Sequence, residues 1–354
     1  IMDIVKEGKH RGVVVSQGTD QLAVTTAYMT FHLPLKGIPV IYTGAMKAID
    51  MPYSDAASNL QGSFIAALDD RFIEDNLYFR GQLLRGVRAM KTGRGKFFES
   101  VHYPPLARRQ ANRLVYCSGE SGEIQREYRE RMDTWKKILS GPLLFEFPLE
   151  IYEKKVEMFE LNPNFDPEIL DNREFAGLVI KGWGSGGIPD TPKSRALSDK
   201  IFRWTKEGRI VVIGSRVPYM EADLTQYVVG NRALEAGAIP AFDMDPDVAL
   251  EKLSWICGIL EPMREVDPEN YTSLAKKMML HNFFDETQSD IASLEPHIGK
   301  EAAGKLRIST AEELDSIVNI MKASSVDTNA YDEPKTLPGP MSIRIGEKNG
   351  ARVA

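Results

Sequence analysis

The run Gly12-Val13-Val14-Val15-Ser16 stops abruptly on Gln17-Gly18-Thr19-Asp20, and a longer apolar segment follows over residues 22–31. A short β-branched run bounded by turn formers reads as a buried strand, and the segment behind it reads as a helix. The alternation repeats down the chain. Strands are expected at 39–43, 176–181 and 209–214, with a strand or hairpin at 76–88 and a second unit opening at 155–161. Helices are expected at 56–69, 193–205, 226–236, 247–259 and 273–283. Short apolar runs alternating with amphipathic segments are the α/β signature.

Length and composition narrow the class. A chain of 354 residues exceeds what one small core needs, so two domains are expected. The boundaries fall at 1–150 for a larger amino-terminal α/β domain and 151–286 for a smaller carboxy-terminal one, both doubly wound, with an extension over 287–354. Residues 92–118 are rich in Gly, Pro and Arg and read as irregular, while 123–139 reads as a charged helix. Such a helix is a solvated face or an assembly surface. Thr310-Ala311-Glu312-Glu313 offers a capping box for one helix of the extension, and 332–340 is linker-like, so the tail reads as an appendage or a docking arm.

No apolar run approaches the ~20 residues that span a bilayer, so no membrane span is expected. A net charge of −6 argues against a protein that coats nucleic acid non-specifically. Cys117 and Cys257 form no disulfide framework, and histidines 10, 32, 102, 281 and 297 never pair at metal-ligand spacing, so no metal site is expected.

In a parallel sheet the loops after the strands' carboxyl ends form the ligand crevice. Gly18 there would allow a tight turn, Thr19 would present a hydroxyl and Asp20 would open the next helix. On spacing alone, the simpler reading is that Thr19 or Asp20 caps the helix at 22–31. The next strand ends Thr43-Gly44-Ala45, followed by Ser54, Asp55 and Asn59, all common turn formers. Lys91 alone would pass for solvated surface. Were it to reach Thr19 and Asp20, it could exchange a proton with the threonine while the carboxylate held it in place. In the second unit, Gly182-Trp183-Gly184-Ser185-Gly186-Gly187 could cradle a phosphate, although its spacing matches no nucleotide fingerprint. Ser215-Arg216 could bind a carboxylate or form a turn.

Taken in order, six blocks resemble the bacterial-type L-asparaginase family, including the related D subunit of the archaeal glutamyl-tRNA(Gln) amidotransferase. They are VVVSQGTDQL (13–22), IPVIYTGAMKAIDMPYSDAASNL (38–60), RGVRAMKT (85–92), AGLVIKGWGSGGIP (176–189), VVIGSRVP (211–218) and RALEAGAIPAFDMDPDVALEKLSW (232–255). The resemblance implies hydrolysis of the side-chain amide of asparagine, or glutamine, with no metal or organic cofactor. By motif, Thr19, Asp20 and Lys91 match the catalytic threonine–aspartate–lysine group, in which the aspartate also grips the substrate's α-amino group. Gly18 and Ala45 match backbone positions lining the substrate pocket.

The chain departs from the family pattern in two places. Gln17 stands where histidine is usual, and Gln21 where threonine is common. The Thr-Gly-Gly-Thr-Ile motif, whose first threonine is the family's nucleophile, occurs nowhere in the chain. Its stretch is expected to precede Ile1, since the other catalytic loops are intact and a sheet lacking its first strand would expose an edge. Thr19 is thus the supporting threonine. The resemblance further implies a homo-oligomer, dimer or tetramer, acting on a small-molecule amide, and a cytoplasmic location is expected. Two alternatives stand beside the amidohydrolase: the amidase subunit of a tRNA-dependent amidotransferase, the one route to a nucleic-acid partner, and a non-catalytic scaffold.

Overall fold

The computed structural model describes residues 1–34, 36–92, 95, 97–117, 126, 156–170, 173–189, 195–289, 291–308, 310–324 and 341–347. The charged helix expected at 123–139, Arg126 apart, and the linker expected at 332–340 lie outside the described residues. The chain falls into two compact units, Ile1–Glu146 with Val326–Ala354, and Phe147–Ser325.

The first unit runs α1 (Met2–Glu7), β1 (His10–Ser16), α2 (Leu22–His32), β2 (Val40–Thr43), α3 (Ala56–Ala67), β3 (Asp75–Phe79), β4 (Gln82–Arg85), β5 (Ala89–Lys91), β6 (Phe98–Ser100), β7 (Ala107–Gln110) and β8 (Arg113–Tyr116). Strands β1, β2 and β3 are parallel, and β4, β7 and β8 continue the sheet antiparallel. The period-2 alternation of a strand decides what covers each face. Val13 and Val15 join Leu22 of α2 in one core, while Val14 joins Ala66 and Ala67 of α3 in the other. All three valines are buried because helices lie on both faces.

On the outer side of β1 lies the strand Met341–Glu347, antiparallel, with Ser16 opposite Met341 and His10 opposite Glu347. The edge of β1 is therefore paired with a later strand of the same chain, so an exposed edge no longer argues for a stretch before Ile1. The irregular reading of residues 92–118 is also corrected. It contains β6, β7 and β8, strands of three or four residues that pairing, not local propensity, stabilises.

The second unit carries β9 (Val156–Glu160), β10 (Gly177–Gly182), α4 (Arg195–Lys206), β11 (Ile210–Ser215), α5 (Val228–Glu235), β12 (Ile239–Pro240), α6 (Pro246–Arg264) and α7 (Pro268–Leu280). Its sheet is wholly parallel in the order β12-β11-β10-β9. Leu178 and Ile180 face Leu197 and Ile201 of α4 and Ala233 of α5. The opposite face takes α6 so closely that a Cβ on Gly177 would come 2.8 Å from Leu253 Cδ2. Helices on both faces of a parallel sheet make this unit doubly wound.

The segment after α7 is anchored to this unit. A short 3-10 turn (Ile291–Leu294) leads into α8 (Glu295–Ile298), α9 (Lys300–Lys305) and α10 (Ala311–Ser324). Asp243 accepts from Thr287 Oγ1 at 2.5 Å and Gln288 N at 3.1 Å. Glu286 meets Lys252 of α6 at 2.6 Å. Thr310 Oγ1 accepts from Glu313 N at 3.1 Å, the expected cap of α10, and Glu313 in turn pairs with Lys277 of α7. Residues 286–324 are thus built into the unit, not suspended from it as an arm. Among the described residues no helix is long and apolar enough to cross a membrane.

Candidate active site

The site forms where β1 and β2 end. Beyond Ser16 the backbone stays tied to its neighbour, with Gln17 N donating to Thr43 O at 3.0 Å. The chain then turns, and Leu22 N donates to Thr19 O at 3.4 Å. Gln21, not Thr19 or Asp20, holds the N-cap position of α2, and no side chain caps the helix there. The capping role is therefore not what these two residues do.

Both turn instead to Lys91. That residue ends β5, where the antiparallel pairing with β6 sets it opposite Phe98. Its Nζ donates to Thr19 Oγ1 at 3.0 Å and to Asp20 Oδ1 at 2.6 Å. The Lys91 side chain is 27% exposed, while that of Asp20 is 93% exposed. The hydrogen bond from Lys91, and then its positive charge, holds the Asp20 carboxyl below the usual carboxylate range. The threonine oxygen accepts from an ammonium, which leaves its own hydroxyl proton available to a third group. Asp20 spends one oxygen on Lys91 and presents the rest of a solvent-facing carboxylate, suited to a cationic amine.

The second loop closes against the first. A Cβ on Gly44 would lie 2.5 Å from Gln17 O and 3.4 Å from Thr19 Cγ2, so the approach of the two strand ends requires glycine there. Ala45 follows it, half-buried. Gly18 differs: a Cβ there would meet nothing within 4 Å, and its φ is not in the left-handed region. The turn does not demand a glycine at 18.

Two side chains given only as turn formers hold this loop in place. Asn59, 1% exposed, donates from Nδ2 to Gly44 O at 2.8 Å and accepts from Arg80 N at 2.9 Å. Asp55 Oδ1 accepts from Met46 N at 2.9 Å and Lys47 N at 3.2 Å. The readable signal was their spacing of four at a helix start, which sets both on one face.

The second unit's motifs resolve as local structure. In the 182–189 turn, Trp183 N donates to Gly187 O at 2.9 Å, while Gly186 N and Gly187 N donate to Trp183 O at 3.0 and 2.7 Å. Those three amides are spent within the turn and do not face a phosphate. Ser215 Oγ donates to Gly184 O at 2.6 Å, and Arg216 Nη1 donates to Leu161 O at 3.0 Å. This is the turn reading of Ser215-Arg216. Among the described residues no three or more His, Cys, Asp or Glu side chains are grouped to hold a metal ion.

Thr19 and Asp20, beyond the carboxyl end of a parallel strand, thus meet Lys91 where α/β folds place their ligands. Residues 1–120 match the model of the asparaginase amino-terminal domain, and residues 155–267 match that of the glutaminase/asparaginase carboxy-terminal domain. The chain belongs to the asparaginase family. It is 32% identical over 262 residues to an L-asparaginase of Thermococcus kodakarensis, covering 73% of each chain. It is 31% identical over 287 residues to the D subunit of the glutamyl-tRNA(Gln) amidotransferase of Pyrococcus abyssi, covering 78% of this chain and 58% of that one. Among solved structures, the thermostable L-asparaginase from Thermococcus kodakarensis superposes with a TM-score of 0.64 at 29% identity, covering 82% of this chain and 79% of that one. L-asparaginase I of Vibrio cholerae shares the fold, with a TM-score of 0.59 at 22% identity over 78% of this chain and 76% of that one.

Proposed function

We propose that this chain belongs to an amidohydrolase that converts the side-chain amide of L-asparagine, or of L-glutamine, to the acid and ammonia. The observation that carries the reading is the pair of hydrogen bonds from Lys91 to Thr19 and Asp20. A threonine hydroxyl outside this group attacks the amide carbon, and backbone amides stabilise the oxyanion that forms. Thr19 and Lys91 relay the proton that the departing ammonia takes up. Water then hydrolyses the acyl-enzyme through the same relay. Asp20 holds the substrate's α-ammonium, and the backbone at Gly18 and Ala45 lines the pocket. The nucleophile belongs to a Thr-Gly-Gly-Thr-Ile segment of the kind the family carries, which residues 1–354 do not contain. The protein acts as a cytoplasmic homo-oligomer.

The test is ammonia release from asparagine and glutamine by the natural gene product. Release that is lost in Lys91→Met and Thr19→Val supports the reading. No release from either amide counts against it and favours a non-catalytic scaffold.

The likeness to amidotransferase subunits at nearly the same identity supports a second reading, an amidase subunit that passes ammonia to a partner acting on glutamyl-tRNA. Ammonia release that depends on a co-purifying subunit and tRNA would favour it.

A further inference from the structure

A cavity of about 720 Å³ lies within the second unit, separate from the Thr19 loop. This is the size of sites that enclose small organic molecules. Its apolar wall is Leu234, Ile239, Leu280, Leu294, Ile298 and Leu306, drawn from α5, β12, α7 and the anchored segment that follows. Two ammonium groups, Lys206 at the end of α4 and Lys276 on α7, line the same space.

The charged groups around it are unevenly satisfied. Glu207 pairs with Arg209 at 3.2 Å, and Lys305 pairs with Glu301 at 2.8 Å. Glu269 also lines the cavity but pairs with neither Lys206 nor Lys276. Among the described residues no carboxylate forms an ion pair with Lys206, whose Nζ lies 5.6 Å from the centre of the Phe202 ring, or with the half-buried Lys276. Burial, and then the charge of Lys206, lowers the pKa of Lys276. Two like charges beside an apolar wall are stabilised by an anion placed between them.

We propose that this cavity binds an amphipathic organic anion, its carboxylate between Lys206 and Lys276 and its hydrocarbon along the leucine and isoleucine wall. The occupant is a carboxylic acid with an apolar chain, chemically unlike the polar amide proposed for the Thr19 site. The inference does not depend on that proposal, because the cavity and the Thr19 group share no residue.

The test titrates the full chain with decanoate below its micelle concentration, and separately with decanol, by isothermal calorimetry. Saturable binding of one decanoate per chain, about tenfold or more tighter than decanol, is expected, since a hydrogen bond to a charged group contributes that much. Lys206→Gln/Lys276→Gln should weaken decanoate by a similar factor, leave decanol unchanged and not lower the thermal midpoint. Ile298→Trp, which fills the cavity, should weaken both ligands. Absence of saturable decanoate binding, or equal affinity for decanoate and decanol in the unsubstituted protein, overturns the proposal without reference to any variant. Undiminished decanoate binding by a folded double variant overturns it as well.

Discussion

Lys91 and Thr19 stand 72 residues apart in the chain and are joined by one hydrogen bond of 3.0 Å from ammonium to hydroxyl. If that bond carries the proton of an amide hydrolysis, Lys91→Met and Thr19→Val should each lower the rate of ammonia release by about 10²–10⁴-fold. The thermal midpoint should barely move, because an ion pair to an exposed carboxylate contributes little to folding. A loss of activity that follows a loss of folding would remove the argument for a chemical role.

The titration of Asp20 offers a check independent of activity. Lys91 depresses its carboxyl below 3.8, so the folded chain releases this proton at lower pH than the unfolded chain does. The associated stabilisation is present above 3.8 and is lost as pH falls through the lower folded value. In Lys91→Met the Asp20 midpoint should rise toward 3.8, measurable by carboxyl NMR. An unchanged midpoint would show that the two side chains do not interact in solution.

Gly44 and Gly18 flank the same loop, and alanine should separate them. At 44 the added methyl group would meet Gln17 O at 2.5 Å, a backbone atom that cannot swing aside, whereas at 18 it would meet nothing within 4 Å. Gly44→Ala should cost about 1–3 kcal/mol in urea unfolding and disturb the Thr19 loop. Gly18→Ala should leave the unfolding midpoint nearly unchanged. Equal costs would mean the strand ends are not so close.

Lys252 and Glu286 are both fully buried, 2.6 Å apart. Lys252 also donates to His281 O at 2.6 Å, and Glu286 accepts from Phe284 N at 2.6 Å. Removing one partner strands a buried charge, so Lys252→Met should cost about 3–5 kcal/mol. Lys252→Met/Glu286→Gln should recover part of that loss, since a neutral amide can still accept from the backbone. A single variant indistinguishable from the natural chain in chemical denaturation would refute the buried pair.

Glu251 has the opposite sign from Asp20. Burial, reinforced by Asp247, lifts its carboxyl from 4.5 to about 7, so across that window the folded chain keeps a proton that the unfolded chain has released. Stability is unpenalised below 4.5, falls as pH rises, and carries the full penalty above about 7. Glu251→Gln should therefore stabilise by about 3 kcal/mol near pH 8 and change little near pH 4. A stabilisation that is the same at both pH values would show that the carboxyl is not displaced.

What was legible in the sequence follows a physical pattern. The strands at Val13 and Ile210 could be read because each is buried on both faces and so appears as an unbroken apolar run. Strands β6, β7 and β8 could not, because their pairing partners supply what their composition lacks. The Lys91 contact was invisible to local pattern, since 71 and 72 residues separate it from its partners, and it emerged only from the order of six motifs. Lys252 was hidden by its charge. It interrupts a stripe of Ala249, Leu253 and Ile256, all buried at helical spacing, and a lysine inside such a stripe signals a buried partner.

The strand Met341–Glu347 beside β1 gives the folding of this protein an order in time. Most of the first unit precedes Phe147, yet its sheet gains that outer strand only after the whole of Phe147–Ser325 has been translated. At roughly 5–20 residues per second the delay is on the order of half a minute. Throughout it β1, which carries the Thr19 loop, lacks this neighbour, and another nascent chain can add a strand in its place. The second unit needs no such wait, because its sequence is contiguous. A growing chain thus holds the whole of the second unit before β1 meets Met341–Glu347.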